Sequence, residues 1–280
     1  MNIALERINN WTSGILDLCN LGLTELPELP ENLEILLCTN NKLTTLPDIL
    51  PISLRELFCR NNLLKKLPNN LPNNLQILIC DTNQLIELPN NLPYGLKRLE
   101  CYNNQLILLP NTLPPSLIEL YCHCNQLILL PNTLPINLIK LYCIKNQLIE
   151  LPETLPFNLT ILDCSENNLT FLPNNLPKNL KVLHCENNQL ETIPNLLPNT
   201  LIELHCDHNK LKYLPDNLPT NLKILHCNNN KLEYLPNTFP NNIEYFHYYN
   251  NQFSDRIDNE SINDYINRLK NQDKNIIITI

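Results

Sequence analysis

The stretch Leu75–Gly95, LQILICDTNQLIELPNNLPYG, decides the reading of this chain, because its pattern returns every 21 residues. Written out, the pattern is L-x-x-L-x-C-x-x-N-x-L-x-x-L-P-x-x-L-P-x-x, with Leu75, Leu78, Cys80, Asn83, Leu85, Leu88, Pro89, Leu92 and Pro93 in the fixed places. The cysteine place recurs at Cys38, Cys59, Cys101, Cys122, Cys143, Cys164, Cys185, Cys206 and Cys227. The asparagine place runs from Asn41 and Asn62 through Asn146 to Asn230 and Asn251. So strict a period means one small unit copied many times and stacked into a solenoid.

Each position has a physical reading. The L-x-C stretch is a short strand whose alternation turns Leu and Cys inward and the residue between them outward. The Asn sits where the chain leaves the strand, and its amide can satisfy backbone groups on both sides of the turn, so a stacked Asn ladder is expected. All but one of the 23 prolines fall in the L-P-x-x-L-P halves, Pro115 being the extra. Proline has no N–H and a locked φ, which excludes a regular helix there and favours extended or polyproline-like chain. The ladder cysteines are read as small buried apolar groups. Stacked in-register residues lie about 4.8 Å apart, whereas a disulfide wants its Cβ atoms at about 3.8 Å.

The first eleven positions resemble the leucine-rich repeat segment L-x-x-L-x-L-x-x-N-x-L, with Cys for one Leu. The double L-P half resembles the short repeats of YopM/IpaH-type bacterial effectors. The Cys-bearing, Asn- and Ile-rich version looks like the leucine-rich repeat proteins of mimivirus-like giant viruses. The resemblance covers about Ile15 to Phe253. It implies a curved leucine-rich repeat solenoid with a parallel β-sheet on the concave face, an extended or polyproline convex side and a short helical C-terminal cap. The expected organisation is an N-terminal cap over 1–14, about twelve repeats over 15–253, and a C-terminal cap over 254–280. In the first cap, Ile3, Leu5, Ile8 and Trp11 are expected to cover the first repeat. In the second, Ile262, Tyr265, Ile266 and Leu269 follow helical spacing over about 261–271, and Ile276–Ile280 form an apolar strand or strap.

The formal charge of −8 speaks against a nucleic-acid backbone as partner. No apolar run approaches the roughly 18 residues of a membrane span. Met1 to Trp11 carries Glu6 and Arg7 where a signal peptide would be apolar, so a cytoplasmic protein is expected, in host cytoplasm if viral. IpaH-type effectors carry a ubiquitin-ligase domain after their repeats. Here 27 residues follow Phe253 and no C-x-D nucleophile motif occurs. With no Gly-rich phosphate loop and no Ser, His and acid set, a non-enzymatic protein without cofactors is expected.

Function is expected on the outward column before each Cys, a face about 55 Å long. Its first half carries Leu37, Phe58 and Ile79, then Tyr121 and Tyr142, flanked by Arg60, Arg98 and Lys145. Exposed aromatics beside arginines are typical of protein-binding patches. Its second half carries His184, His205, His226 and His247 in register. The leading reading is a protein-interaction scaffold using both halves. An alternative is a metal- or pH-dependent binder on the histidine column, with His205, Asp207, His208 and His226 as candidate zinc ligands beside His184. The surrounding acids, Asp163, Glu166, Glu186, Glu203, Asp207 and Glu244, are expected to move imidazole titration to roughly pH 6 to 7. A third reading is a structural repeat protein without a dedicated site. Cys122-His123-Cys124 is set aside as a metal motif, because Cys122 points inward and His123 outward.

Overall fold

The computed structural model describes residues 2–236, 240 and 243–253. The chain divides into two compact units, Met1–Asn146 and Gln147–Ile280. The first opens with helix α1, Asn2–Asn9, followed by β1 Ile15–Asp17, β2 Ile35–Leu37, β3 Glu56–Phe58, β4 Ile77–Ile79, β5 Arg98–Glu100, β6 Glu119–Tyr121 and β7 Lys140–Tyr142. The second holds β8 Ile161–Asp163, β9 Val182–His184, β10 Glu203–His205, β11 Ile224–His226 and β12 Tyr245–His247.

Within each unit the strands lie side by side in chain order, parallel and in repeat register. Leu57 pairs with Leu78 and Leu78 with Leu99 in the first; Leu183 pairs with Leu204 and Leu204 with Leu225 in the second. The central residue of each three-residue strand is buried, Leu in β1 to β11 and Phe246 in β12, and so is the residue just after the strand, Leu18 after β1, Tyr248 after β12 and Cys after the others. Full burial of one such Leu contributes about 1.5–3 kcal/mol, so the ladders of Leu and Cys are the core. The ladder thiols are free. Several donate to the carbonyl of the next repeat's outward residue, as Cys80 Sγ does to Glu100 O at 3.3 Å and Cys185 Sγ to His205 O at 3.3 Å.

The asparagines form the expected ladder. Asn62 Oδ1 accepts from Leu43 N at 3.0 Å, and its Nδ2 donates to Cys38 O and Cys59 O, both at 3.0 Å. Each Asn thus ties the carbonyl of its own Cys to that of the preceding repeat. The residue just before the Asn is in the left-handed region in every repeat, for example Asn61 at φ 53° and Asn103 at φ 53°. Asn tolerates that conformation better than other non-glycine residues, which explains the Asn-Asn pairs. Cys124 at φ 51° occupies the same place.

The L-P halves carry no helix or strand among the described residues. Their second proline closes a tight turn, with Leu75 N donating to Pro72 O at 3.0 Å and Leu222 N to Pro219 O at 3.0 Å. The first cap differs from expectation. Ala4 is fully buried while Ile3 and Leu5 are exposed and Ile8 and Trp11 half-buried. Helical spacing puts Ala4 and Ile8 on one face and turns Ile3 and Leu5 away from it. Arg7 fastens the helix to the sheet, donating from Nη1 to Asp17 O at 2.7 Å. The expected C-terminal helix over 261–271 and strap over 276–280 lie outside the described residues. No helix among the described residues is long and apolar enough to cross a membrane.

Candidate functional site

The last residue of each strand, which precedes Cys in all repeats but the first (Leu18) and the last (Tyr248), faces outward. In the first unit these are Asp17, Leu37, Phe58, Ile79, Glu100, Tyr121 and Tyr142. Phe58, Tyr121 and Tyr142 are half-buried, but Ile79 is only 7 % exposed and Glu100 only 9 %. The exposed stripe is therefore interrupted: in a parallel register each outward side chain is walled by those of the strands on either side, here Phe58 and Glu100 around Ile79.

Arg60 and Arg98 are engaged within this unit. Arg60 Nε lies 3.0 Å from Asp81 Oδ2, whose carboxylate is buried. Burial raises the Asp81 pKa, and the Thr82 hydrogen bond and the Arg60 charge only partly oppose it. Arg98 donates from Nε to Glu100 Oε1 at 2.7 Å, reaches Glu119 at 3.5 Å and sits 5.4 Å over the Tyr121 ring. Lys140 closes the network on Glu119 at 2.8 Å, and Tyr121 stacks on Tyr142 with centroids 4.9 Å apart. Burial would raise the Glu119 pKa, but Lys140, Arg98 and the Tyr121 hydroxyl lower it overall. The result is a braced aromatic platform, in which the cation over the ring adds to the stacking. Tyr102 and His123, one step further along, form a second stack at 4.2 Å.

In the second unit the outward residues are Asp163, His184, His205, His226 and His247. The four imidazoles form one stack, with centroid spacings of 4.3, 4.1 and 4.1 Å. His184 is gripped from two sides, Nδ1 being 3.2 Å from Asp163 Oδ2 and Nε2 2.9 Å from Glu203 Oε1. Burial by itself would lower the His184 pKa, but those bonds and the charges of Asp163 and Glu186 outweigh it and raise it to about 9. His205 goes the other way, to about 4, through burial and the repulsion of His184 and His226. His226 is also lowered, by burial and by His247. His184 therefore does not titrate together with His205 and His226 at pH 6 to 7, as the acidic surroundings suggested. Burial and ring-to-ring repulsion separate them.

The expected metal set is also redistributed. One donor atom from each of His184, Glu186 and His205 lies within 4.8 Å of the other two, and no other such group occurs among the described residues. Of the residues named from the sequence, His184 and His205 are in it, and Glu186 stands in place of Asp207 and His208. His208 occupies the left-handed turn at φ 50° and hydrogen-bonds with Asn229 at 3.0 Å. His226 stacks next to the group without joining it. Sequence spacing gave no sign of this choice, because Glu186 and Asp207 hold equivalent places in successive repeats and only side-chain rotation separates them.

These features define a leucine-rich repeat solenoid. YopM from Yersinia enterocolitica is similar to it at 27 % identity and a TM-score of 0.55, over 90 % of this chain and 82 % of that one. A chain of the octameric complex of Latrophilin 3, Unc5D and the leucine-rich repeat portion of FLRT2 aligns at 22 % identity and a TM-score of 0.75, covering 95 % and 89 %. The functional domain of InlJ from Listeria monocytogenes, which includes a cysteine ladder, aligns at 23 % identity and a TM-score of 0.58, covering 80 % of this chain and 60 % of that one. No protein-family model matches the chain, and no curated protein matches it.

Proposed function

We propose that the protein is a non-enzymatic scaffold that binds a protein partner through the outward face of its strands. The observation that carries this reading is the platform of stacked, part-exposed Tyr121 and Tyr142 with Arg98 over the Tyr121 ring, and part-exposed Phe58 on the same strand face beyond Ile79 and Glu100. Rigid aromatics lose little entropy on contact and dominate binding energy when a partner covers them. Arg60 rims the same face, and His184, His205, His226 and His247 offer a second patch in the other unit. The leucine-rich repeat portion of FLRT2 works within a complex with Latrophilin 3 and Unc5D, which supports a binding role for this fold. The setting proposed with it is the cytoplasm, a host's cytoplasm if the chain is viral.

The test is a comparison of wild type with a Phe58→Ala, Tyr121→Ala, Tyr142→Ala variant in capture from host cytosol. A photo-crosslinking residue replaces Tyr142 in one series and Ile86, exposed beyond the strand end, in another. Capture should fall at least tenfold in the triple variant, with crosslinks from position 142 only. Undiminished capture, or crosslinks confined to position 86, would move the interface off the strand face.

A further inference from the structure

The group on β9 and β10 holds unused donor capacity. Glu186 Oε2 and His205 Nε2 are shielded from solvent without a hydrogen-bond partner. Shielded polar atoms are normally paired, so two in one cluster leave lone pairs that the protein itself does not use. His205 Nε2 does lie 3.1 Å from Glu203 Oε1, but without hydrogen-bond alignment. The same oxygen is 2.9 Å from His184 Nε2, so two imidazole nitrogens converge on one point. Behind His184, Asp163 holds Nδ1 at 3.2 Å. A carboxylate on the far nitrogen is the usual support of a metal-binding imidazole, fixing its tautomer and ring direction.

We propose that His184, Glu186 and His205 bind a divalent transition-metal ion of zinc's class, with Asp163 orienting His184. Two imidazoles and one carboxylate are a donor set suited to such a borderline cation. Calcium and magnesium would require an oxygen cage that this cluster does not offer. Bonds of about 2.0–2.1 Å would draw the three donor atoms closer than their present spread, a movement of side-chain torsions rather than backbone. His205 is already set in orientation, sandwiched between His184 and His226 at 4.3 and 4.1 Å. The ion displaces the proton shared by His184 Nε2 and Glu203 Oε1, and the fourth position is filled by Glu203 or by water. The site shares no residue with the aromatic platform; it does share His184 and His205 with the histidine patch, and its test is metal uptake by the protein alone.

The experiment is a titration of the reduced, EDTA-stripped full chain with cobalt(II), followed by displacement with zinc. Wild type should take up one cobalt per chain with d–d bands and no thiolate-to-cobalt band in the near ultraviolet, which separates this site from the cysteines. Glu186→Gln and His205→Ala should each weaken binding at least tenfold, and Asp163→Asn should weaken it less. His208→Ala, hydrogen-bonded to Asn229 and outside the cluster, should bind as wild type. Circular dichroism verifies that each variant is folded; if His205→Ala is not, the near-isosteric Glu186→Gln decides. Absence of stoichiometric uptake, a thiolate band, or unchanged affinity in Glu186→Gln would overturn the assignment.

Discussion

Asn146 shows what a single residue contributes to this fold. Its Oδ1 accepts from Leu127 N at 2.9 Å, and its Nδ2 serves the carbonyls of Cys122, Cys143 and Ile144 at 3.1, 3.0 and 3.2 Å. Alanine there would strand a backbone N–H and several carbonyls away from water. Asn146→Ala should cost about 1–3 kcal/mol, read from urea denaturation; a surface-like effect near zero would show that water replaces the amide. The left-handed residue just before the ladder Asn is the subtler signal. The run of Asn at that place in most repeats is legible in sequence, and its cause, a φ near +50°, emerges only from the backbone.

The stacked histidine column is one element with opposed titrations. His184, raised to about 9, contributes stability that is complete below about pH 6.5 and lost as pH rises through 9. His205, lowered to about 4, contributes stability that is complete above about 6.5 and lost as pH falls through 4. Both are part-exposed, so screening keeps the amplitudes small. With a chelator present, thermal melts should show a shallower acid limb between about pH 6.5 and 5 in His205→Gln. The alkaline limb between about pH 7 and 9 should flatten in His184→Gln. Limbs unaltered by both substitutions would mean that the column titrates like free imidazole. Four histidines in register were visible from the repeat alone. The raised His184 beside the lowered His205 and His226 depends on Asp163 and Glu203 reaching His184, which spacing does not encode.

Across the molecule the twelve cysteines fall into two populations. The ten on the ladder are buried, while Cys19 and Cys124 are part-exposed. Burial pushes the thiols of Cys59 and Cys101 up to about 12 and those of their ladder neighbours well above the ordinary range. The thiolate is the reactive form, so a disulfide reagent on the native protein should label only Cys124 and, more slowly, Cys19. The full complement should react only after unfolding, as mass spectrometry of the adducts would show. Rapid labelling of ladder cysteines in the native state would mean that the repeats open readily.

The sequence by itself determined the repeat, the inward Leu and Cys ladders, the Asn ladder and the proline-closed turns. These are consequences of local chemistry repeated at a fixed interval, and each copy confirms the others. The tertiary structure alone decided which outward side chains meet. It covered Ile79 between neighbouring strands, drew Arg60 onto Asp81 and Arg98 onto Glu100, put Ala4 rather than Ile3 or Leu5 under the first helix, and gathered His184 and His205 with Glu186 rather than with Asp207 and His208. The physical reason is that a repeat specifies where each Cβ stands and which way it points. Ion pairs, stacks and ligand groups depend on the last few ångströms of side-chain rotation, and those are settled by the neighbours that packing brings.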